Sequence, residues 1–427
     1  MPIARSSTTV KIAANTIYQI IGKVFSMSVT ILATVAFTRF YNRQGYGEFS
    51  LMQSWPALFF VIVDFGLNAI ATRELSKDWD RAQKIFGNIF LMRLVFSAII
   101  MLVIAIILLF FPYDPRLKFG ITLSLLLILT QALFATTNII FQVKLRYDLS
   151  TLGYGIGYTL ILIMIVFLSY IKADVIWVNF SYVLGGIVTV ILNLLFIRRL
   201  GIKLNFEFDP IVWKYYLMQS LPLGMMFFFS QVNFKSDTIL MSVLRLPPEL
   251  GLNNKETVAI YSLGYKIFEV ALVVPTFLMN SVYPVLIKHM LESKEKLKGT
   301  FSKTMLFLGI SGVIAGLIGI ILAPWTIKLL GGDEFTQSVP ILRILLGGLF
   351  IYYVTQPISW LLVTLEKQIY LPYIYLVSAI FNLMANWFYI QRYSFFASAW
   401  ITHISELIIL ILLIFTARKV WKMHYGS

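Results

Sequence analysis

Nine ionisable side chains lie inside long apolar runs of the sequence: Lys23, Asp64, Arg93, Lys235, Asp237, Lys266, Glu269, Arg343 and Glu406, with His403 close to the last. Any of them is costly in hydrocarbon, so each should face a bundle interior or a watery cavity. The chemistry open to such a set is electrostatic. The bases Lys23, Arg93, Lys235, Lys266 and Arg343 can hold an anionic group through charge-assisted hydrogen bonds, arginine with a paired fork. The acids have two roles open to them. They can carry a coupled proton or sodium ion, or they can fix helices together, Asp64 pairing with Arg93, and Asp237 and Glu269 with Lys235 and Lys266. Lys266 and Glu269 are three residues apart on one helix and within direct reach. Five bases against four acids leave at least one cation over. With no Cys and three His, thiolate chemistry and a zinc centre are not expected, and no G-x-x-x-x-G-K-[ST] phosphate loop is present. No cofactor, no metal, no nucleophile and no general base are called for.

The elements that position these groups follow from composition. Of 427 residues, 59% are hydrophobic and 13% charged, and the mean hydropathy is +0.82, too apolar for a chain that must show a surface to water. Twelve apolar stretches fall at about 15–38, 48–72, 86–110, 119–142, 152–170, 175–197, 214–240, 258–284, 301–322, 338–362, 370–390 and 395–416, each long enough for a hydrocarbon core of about 30 Å. Backbone groups in lipid must be satisfied internally, and uninterrupted runs of this length select helices over a barrel. The fold class is therefore all-α, a polytopic membrane protein of about twelve transmembrane helices in the cell membrane.

The net charge of +15 marks topology rather than nucleic acid. In that layout 21 of the 35 Lys and Arg fall on the side of the N-terminus, the even-numbered connections and the C-terminus, and 9 fall on the other. The positive-inside rule then places both termini in the cytoplasm. A rise of 1.5 Å per residue puts Lys23, Asp64 and Arg93 in the cytoplasmic half of the first six spans. Lys235, Asp237, Lys266 and Arg343 fall in the outer half of the last six. The polar stretch from Arg198 to Lys214 separates the two sets of six, giving lobes 1–200 and 201–427 with a cytoplasmic connection at 199–214.

Pro56, Pro222, Pro275, Pro324 and Pro357 each remove a helical hydrogen bond, and Pro56, Pro222 and Pro275 are the candidate hinges. Gly309, Gly312, Gly316 and Gly319, at spacings of three and four, allow two helix backbones to approach. Amides such as Gln53, Asn68, Gln142, Asn233, Asn382 and Asn386 line the spans and suit either a hydrated path or interhelical bonding. Trp55, Trp79, Trp177, Trp213, Trp325 and Trp360 fall near span boundaries as interface anchors. The glycan-acceptor pattern at Asn179 lies inside a span and is a chance match.

The run VAIYSLGYKIFEVALVVPTFLMNSVYPVLIKHM, Val258 to Met290, resembles the eighth-helix signature of polysaccharide-type flippases of the multidrug/oligosaccharidyl-lipid/polysaccharide exporter superfamily, through Tyr261, Tyr265, Lys266, Pro275 and Pro284. Ala33 to Trp55, Asn233 to Met241 and Ile327 to Leu346 resemble the same family. The resemblance implies two six-helix bundles arranged as a V around a central cavity, working by alternating access. It implies as substrate an oligosaccharide joined through pyrophosphate to a polyprenol, moved from the cytoplasmic to the outer leaflet. The five bases would then line the cavity, energy would come from a proton or sodium gradient or the membrane potential, and the partners would be membrane lipid and glycan polymerases or glycosyltransferases. A monomer suffices. Two alternatives remain: a multidrug or small-cation exporter on the same scaffold, which would favour unpaired acids and aromatics, and a membrane glycan polymerase or glycosyltransferase, which would need an ordered extramembrane loop.

Overall fold

A computed structural model of the chain describes residues 8–426, and Arg5, counted among the cytoplasmic bases, lies outside them. The described residues are helical apart from short connections. The α-helices are α1 (Thr8–Phe40), α2 (Asn42–Asp64), α3 (Leu67–Lys77), α4 (Ala82–Leu109), α5 (Pro115–Ser124), α6 (Leu126–Val143), α7 (Tyr147–Tyr170), α8 (Val175–Arg199), α9 (Pro210–Val243), α10 (Asn254–Ala271), α11 (Val273–Glu292), α12 (Lys294–Gly331), α13 (Ser338–Gly347), α14 (Leu349–Thr364) and α15 (Leu371–Tyr425). Short polar residues start several of them by accepting orphan backbone N–H groups. Asp114 accepts from Leu117 ahead of Pro115, Asp174 from Ile176, and Asn253 and Glu256 close a capping box at α10.

Among the described residues, eight helices are long and apolar enough to cross a membrane, or nine when α13 and α14, bent by 41°, count as one. The chain is thus a multi-pass membrane protein, and large side chains such as Leu102, Phe110, Ile321 and Trp325 project outward where only lipid would receive them. The count of twelve differs for definable reasons. Two of the expected spans run together in α15, which breaks at Ser394 (φ 51°, ψ −135°), inside the expected 390–395 connection. The stretches drawn as the second and seventh spans, on α2 and α9, carry polar residues such as Glu48, Gln53, Lys235 and Asp237 that dilute their apolar character. The second is also interrupted, by Phe65 and Gly66 in the left-handed region between α2 and α3.

The helices cluster into two compact units, one of residues 1–41 and 52–224, the other of 42–51 and 225–427. The dividing points fall between α1 and α2 and inside α2 and α9, whereas the sequence suggests residue 200. Residues 42–51 go with the second unit through contacts on α10 and the turn before α13. A Cβ on Gly47 would sit 1.9 Å from the Lys255 carbonyl oxygen, so only glycine fits there. Glu48 pairs with Lys255 at 2.8 Å, and Tyr46 meets the edge of Phe335. The connection 200–209 and the start of α9 stay with the first unit: Asp209 pairs with Lys84 at 2.7 Å and its N–H donates to Asn88.

Inside the first unit α7 packs on α8 and α1, and α6 on α8 and α4. A Cβ on Gly157 or Gly185 would lie 2.7 Å from the other's carbonyl oxygen, so α7 and α8 meet backbone to backbone. In the second unit α12 packs on α13 and α14. The glycine spacing does there what its period predicts, since a Cβ on Gly312 would be 2.9 Å from Phe350 Cα and one on Gly316 2.7 Å from the Leu346 carbonyl.

Candidate functional site

In the first unit the end of α2, α4 and α6 converge on Arg93, whose side chain is 0% exposed. Its Nη2 donates to Asp64 Oδ1 at 2.6 Å, while Nη1 donates to Thr136 Oγ1 at 3.0 Å and to the Ala132 carbonyl at 3.2 Å. This is the helix-fixing pair that the sequence leaves open as an alternative. The guanidinium is enclosed on these partners rather than presented to a ligand. Removing Asp64 would leave a buried charge uncompensated, whereas removing Arg93 leaves a carboxylate that is 27% exposed. Lys23, on α1, has an exposed side chain.

In the second unit Lys235 on α9 meets Glu269 on α10 at 2.5 Å, and Lys266, one turn before Glu269, approaches the other carboxylate oxygen at 3.9 Å. The Lys235 ammonium also lies 5.7 Å from the Tyr265 ring centre, within cation–π reach. Two ammonium groups therefore share one carboxylate, and Lys266 remains 43% exposed. Asp237 does not join them. It is fully buried and accepts from the Tyr261 hydroxyl and from the Thr238 N–H at 2.6 Å. The expected pairing of Asp237 with Lys235 fails because positions two apart point about 200° from each other around the axis, and that with Lys266 because Tyr261, five positions earlier on α10, is the residue that faces Asp237.

Arg343 is not brought to this cluster. Its Nε donates to the Ile320 carbonyl at 3.3 Å, the carbonyl that Pro324, four residues on, cannot use. Tyr353 does the same for Pro275, donating to the Ala271 carbonyl at 2.9 Å. Glu406 is buried on α15. His403 presents Nε2 to the Ile344 carbonyl at 2.8 Å, and its ring lies so close to Gly348 that a Cβ there would be 2.3 Å from Nδ1.

Of the candidate hinges, Pro56 and Pro222 lie inside α2 and α9, the two helices in which the chain passes from one unit to the other. The passages inside these helices fall at 51/52 and 224/225, a third falling at 41/42 between α1 and α2, so each proline sits within five residues of one. Pro275 sits in the first turn of α11, beside the α10–α11 break.

Many span amides serve as interhelical bonds. Gln53 donates to Asn179 at 2.6 Å, and Asn179 donates to Ser124 at 2.6 Å, which also buries the chance glycan pattern. Across the break in α15, Asn382 donates to Ser405 and Asn386 accepts from Ser398. Trp55 is not an interface anchor: it is buried, with Phe111 set edge-on at 4.8 Å. Trp177 and Trp325 are exposed, as an anchor requires.

Residues 12–290 match the family described as polysaccharide biosynthesis protein. The chain belongs to that family. Residues 249–388 also match the MatE family. No curated protein matches the chain. Among solved structures, a multidrug resistance MATE family transporter of the MOP superfamily, in its inward-facing conformation, superposes with a TM-score of 0.72 at 13% identity, covering 94% of this chain and 96% of that one. The lipid II flippase MurJ, inward closed, gives 0.67 at 17% identity over 96% and 89%. A MOP superfamily transporter from Pyrococcus furiosus, described by a binding pocket of reverse polarity, gives 0.65 at 16% identity over 99% and 98%. At these identities the likeness is one of fold, and the fold is that of MOP-superfamily transporters. These relatives are transporters and a flippase rather than covalent catalysts.

Proposed function

We propose that this family member is a flippase. It carries a polyprenyl-pyrophosphate-linked oligosaccharide from the cytoplasmic to the outer leaflet by alternating access, for assembly of a cell-surface polysaccharide or glycan. The observation that carries this reading is the match of residues 12–290 to the polysaccharide biosynthesis family. Two ammonium groups around one carboxylate, at Lys235, Lys266 and Glu269, suit an anionic headgroup better than a cationic drug. Pyrophosphate cannot cross hydrocarbon at a useful rate without such partners, because its charges would have to be desolvated. The proposal includes twelve spans in two bundles forming a V, both termini in the cytoplasm, bends at Pro56, Pro222 and Pro275, and Lys23 as a further headgroup contact.

A second reading is an exporter of organic cations. The match of residues 249–388 to the MatE family and the fold likeness to a multidrug resistance transporter favour it, and the structural comparison taken alone weighs toward it. Proteoliposomes offered fluorescent polyprenyl-diphosphate sugars and organic cations in parallel separate the two. Movement of the lipid-linked sugar with no cation efflux is the expected result; cation efflux without lipid movement replaces the first reading by the second.

A further inference from the structure

The helix α7 carries three glycines at alternate positions, Gly153, Gly155 and Gly157, and two of them have a packing reason. A Cβ on Gly153 would lie 2.3 Å from Asn193 Oδ1, and one on Gly157 1.9 Å from Thr189 Oγ1, both on α8. Gly155 has none, because nothing lies within 4 Å of the place its Cβ would take. Its backbone is helical, so no left-handed conformation asks for glycine either. A glycine in a helix interior is destabilising relative to alanine, and at Gly155 that cost has no return within the protein.

Gly155 opens onto a groove of about 620 Å³ between α1 and α7, whose lining includes Gly22, Phe25, Thr151, Thr159 and Ile163 and is almost wholly apolar. Thr151 holds the two helices together by donating to the Tyr18 carbonyl at 3.0 Å. On α7 the lining runs from Asp148 to Ile163, about 22 Å at 1.5 Å per residue, against about 15 Å for half of a hydrocarbon core. From Leu152, where the expected span begins, to Ile163 the lining covers about 16 Å, roughly the depth of one leaflet, and its Asp148 end lies at headgroup level. At its Asp148 end Arg146 holds that carboxylate with Nε and Nη2, each at 2.9 Å. A guanidinium has five N–H donors, so Nη1 can bind a phosphate without releasing Asp148.

We propose that the α1–α7 groove seats the isoprenoid chain of the carried lipid, with the phosphate next to that chain resting against Arg146. The occupant is long because the lining runs about 22 Å along α7, and anionic at one end because Arg146 stands there. The two glycines, Gly22 and Gly155, widen the floor for a methyl-branched chain. The proposal rests on the flippase reading for the identity of the lipid, and the groove itself on geometry alone.

The test is photolabelling in nanodiscs with a diazirine-bearing polyprenyl diphosphate, and separately with a diazirine phosphatidylcholine, the adducts being mapped by mass spectrometry. Adducts from the polyprenyl probe should fall within 18–25 and 148–163 and should be competed by unlabelled polyprenyl diphosphate. Gly155→Trp, at a position whose added Cβ meets nothing within 4 Å, puts an indole into the groove and should lower that labelling about tenfold, as losing contact with a few methylenes does. Gly155→Ala should keep the labelling, and so should Gly299→Trp, placed at another helical glycine with open space around it. Labelling of the groove by phosphatidylcholine with no competition from polyprenyl diphosphate, or full polyprenyl labelling of a folded Gly155→Trp, overturns the assignment. Should Gly155→Trp not fold, the adduct map of the parent protein decides alone. Lipid flipping by a protein whose groove stays unlabelled removes this proposal and leaves the flippase reading intact. A labelled groove in a protein that flips nothing does the reverse.

Discussion

Tyr353 donates its hydroxyl hydrogen to the carbonyl of Ala271 at 2.9 Å, and that carbonyl lacks a helical partner because Pro275 has no N–H. A break in a membrane helix is tolerated only where something nearby satisfies the freed group. Arg343 meets the Ile320 carbonyl, freed by Pro324, in the same way. Tyr353→Phe should therefore lower stability by about 1–3 kcal/mol, the cost of an unsatisfied buried acceptor. Pro275→Ala restores the N–H, so the same Tyr353→Phe change should cost clearly less in that background. Melting curves of the two single variants and the double give the coupling. Strict additivity would mean that the hydroxyl does not serve the break.

The Arg93–Asp64 pair calls for a different cycle. Arg93→Gln leaves the Asp64 carboxylate, 27% exposed, without its 2.6 Å partner and leaves Thr136 and the Ala132 carbonyl without their donor, and should cost about 1–3 kcal/mol. Arg93→Gln combined with Asp64→Asn removes both charges and should recover most of the stability. Transport should return with it, because the enclosed guanidinium acts through the fold. A stable double variant that moves no lipid would instead assign Arg93 to the headgroup.

Outside the spans, the Lys84 ammonium beside Asp209, helped by the N–H groups of Val212 and Ile211, holds the Asp209 carboxyl below its ordinary value. A depressed folded-state value gives stabilisation that is full above the ordinary aspartate range, near pH ~4, and is lost as pH falls through the depressed value. The 200–209 connection should become more sensitive to an acid-active protease as pH drops below that range, and Lys84→Gln should shift the onset to higher pH. An onset unchanged by Lys84→Gln would show that the ion pair does not dock the connection.

Orientation is testable because the chain has no native Cys. Gly299→Cys, at an exposed position with open space around it, should resist an impermeant thiol reagent in intact cells, and Glu249→Cys should react. The reverse pattern would turn the protein over and place the termini outside.

Local periodicity was the part of the structure that could be read in advance. The glycine face of α12 needs only its own spacing to predict close approach, and Lys266 reaches Glu269 because both lie on one helix face. The Arg93–Asp64 pair was foreseen as one of two options, since the scarcity of buried charges limits the partners. Relationships between helices distant in sequence were not legible. Nothing near Arg343 announces that its partner is the Ile320 carbonyl, and Trp55 looks like an interface anchor until Phe111 and Tyr113 are folded against it. The division at 224 rather than 200 accompanies the packing of Val212 and Tyr216, at the start of α9, into the core of the first unit, which charge and hydropathy do not record. Gly155 carried a signal, a helical glycine without a reason, but only its empty surroundings distinguish it from Gly153 and Gly157.

The functional reading bears most heavily on Lys235 and Lys266. With Glu269 between them at 2.5 and 3.9 Å, Lys235→Gln leaves the carboxylate the Lys266 ammonium, so the loss of stability should be smaller than at Arg93, about 1 kcal/mol or less for a partly exposed pair. A headgroup that needs both cations loses a charge-assisted hydrogen bond worth about 1.5–3 kcal/mol, and lipid-linked sugar transport should fall about tenfold or more. Lys235→Arg keeps the charge and should retain much of the activity. Glu269→Gln separates binding from coupling: it makes the cluster more positive and should tighten retention of a diphosphate probe while slowing release, whereas a cation exporter would lose its only carboxylate in this trio and bind its substrate less well. Flipping measured beside melting temperature for these three variants decides the matter. Equal flipping by Lys235→Gln and the parent protein would remove the cluster from the headgroup path, and a fall in organic-cation binding in Glu269→Gln would move it to the exporter reading.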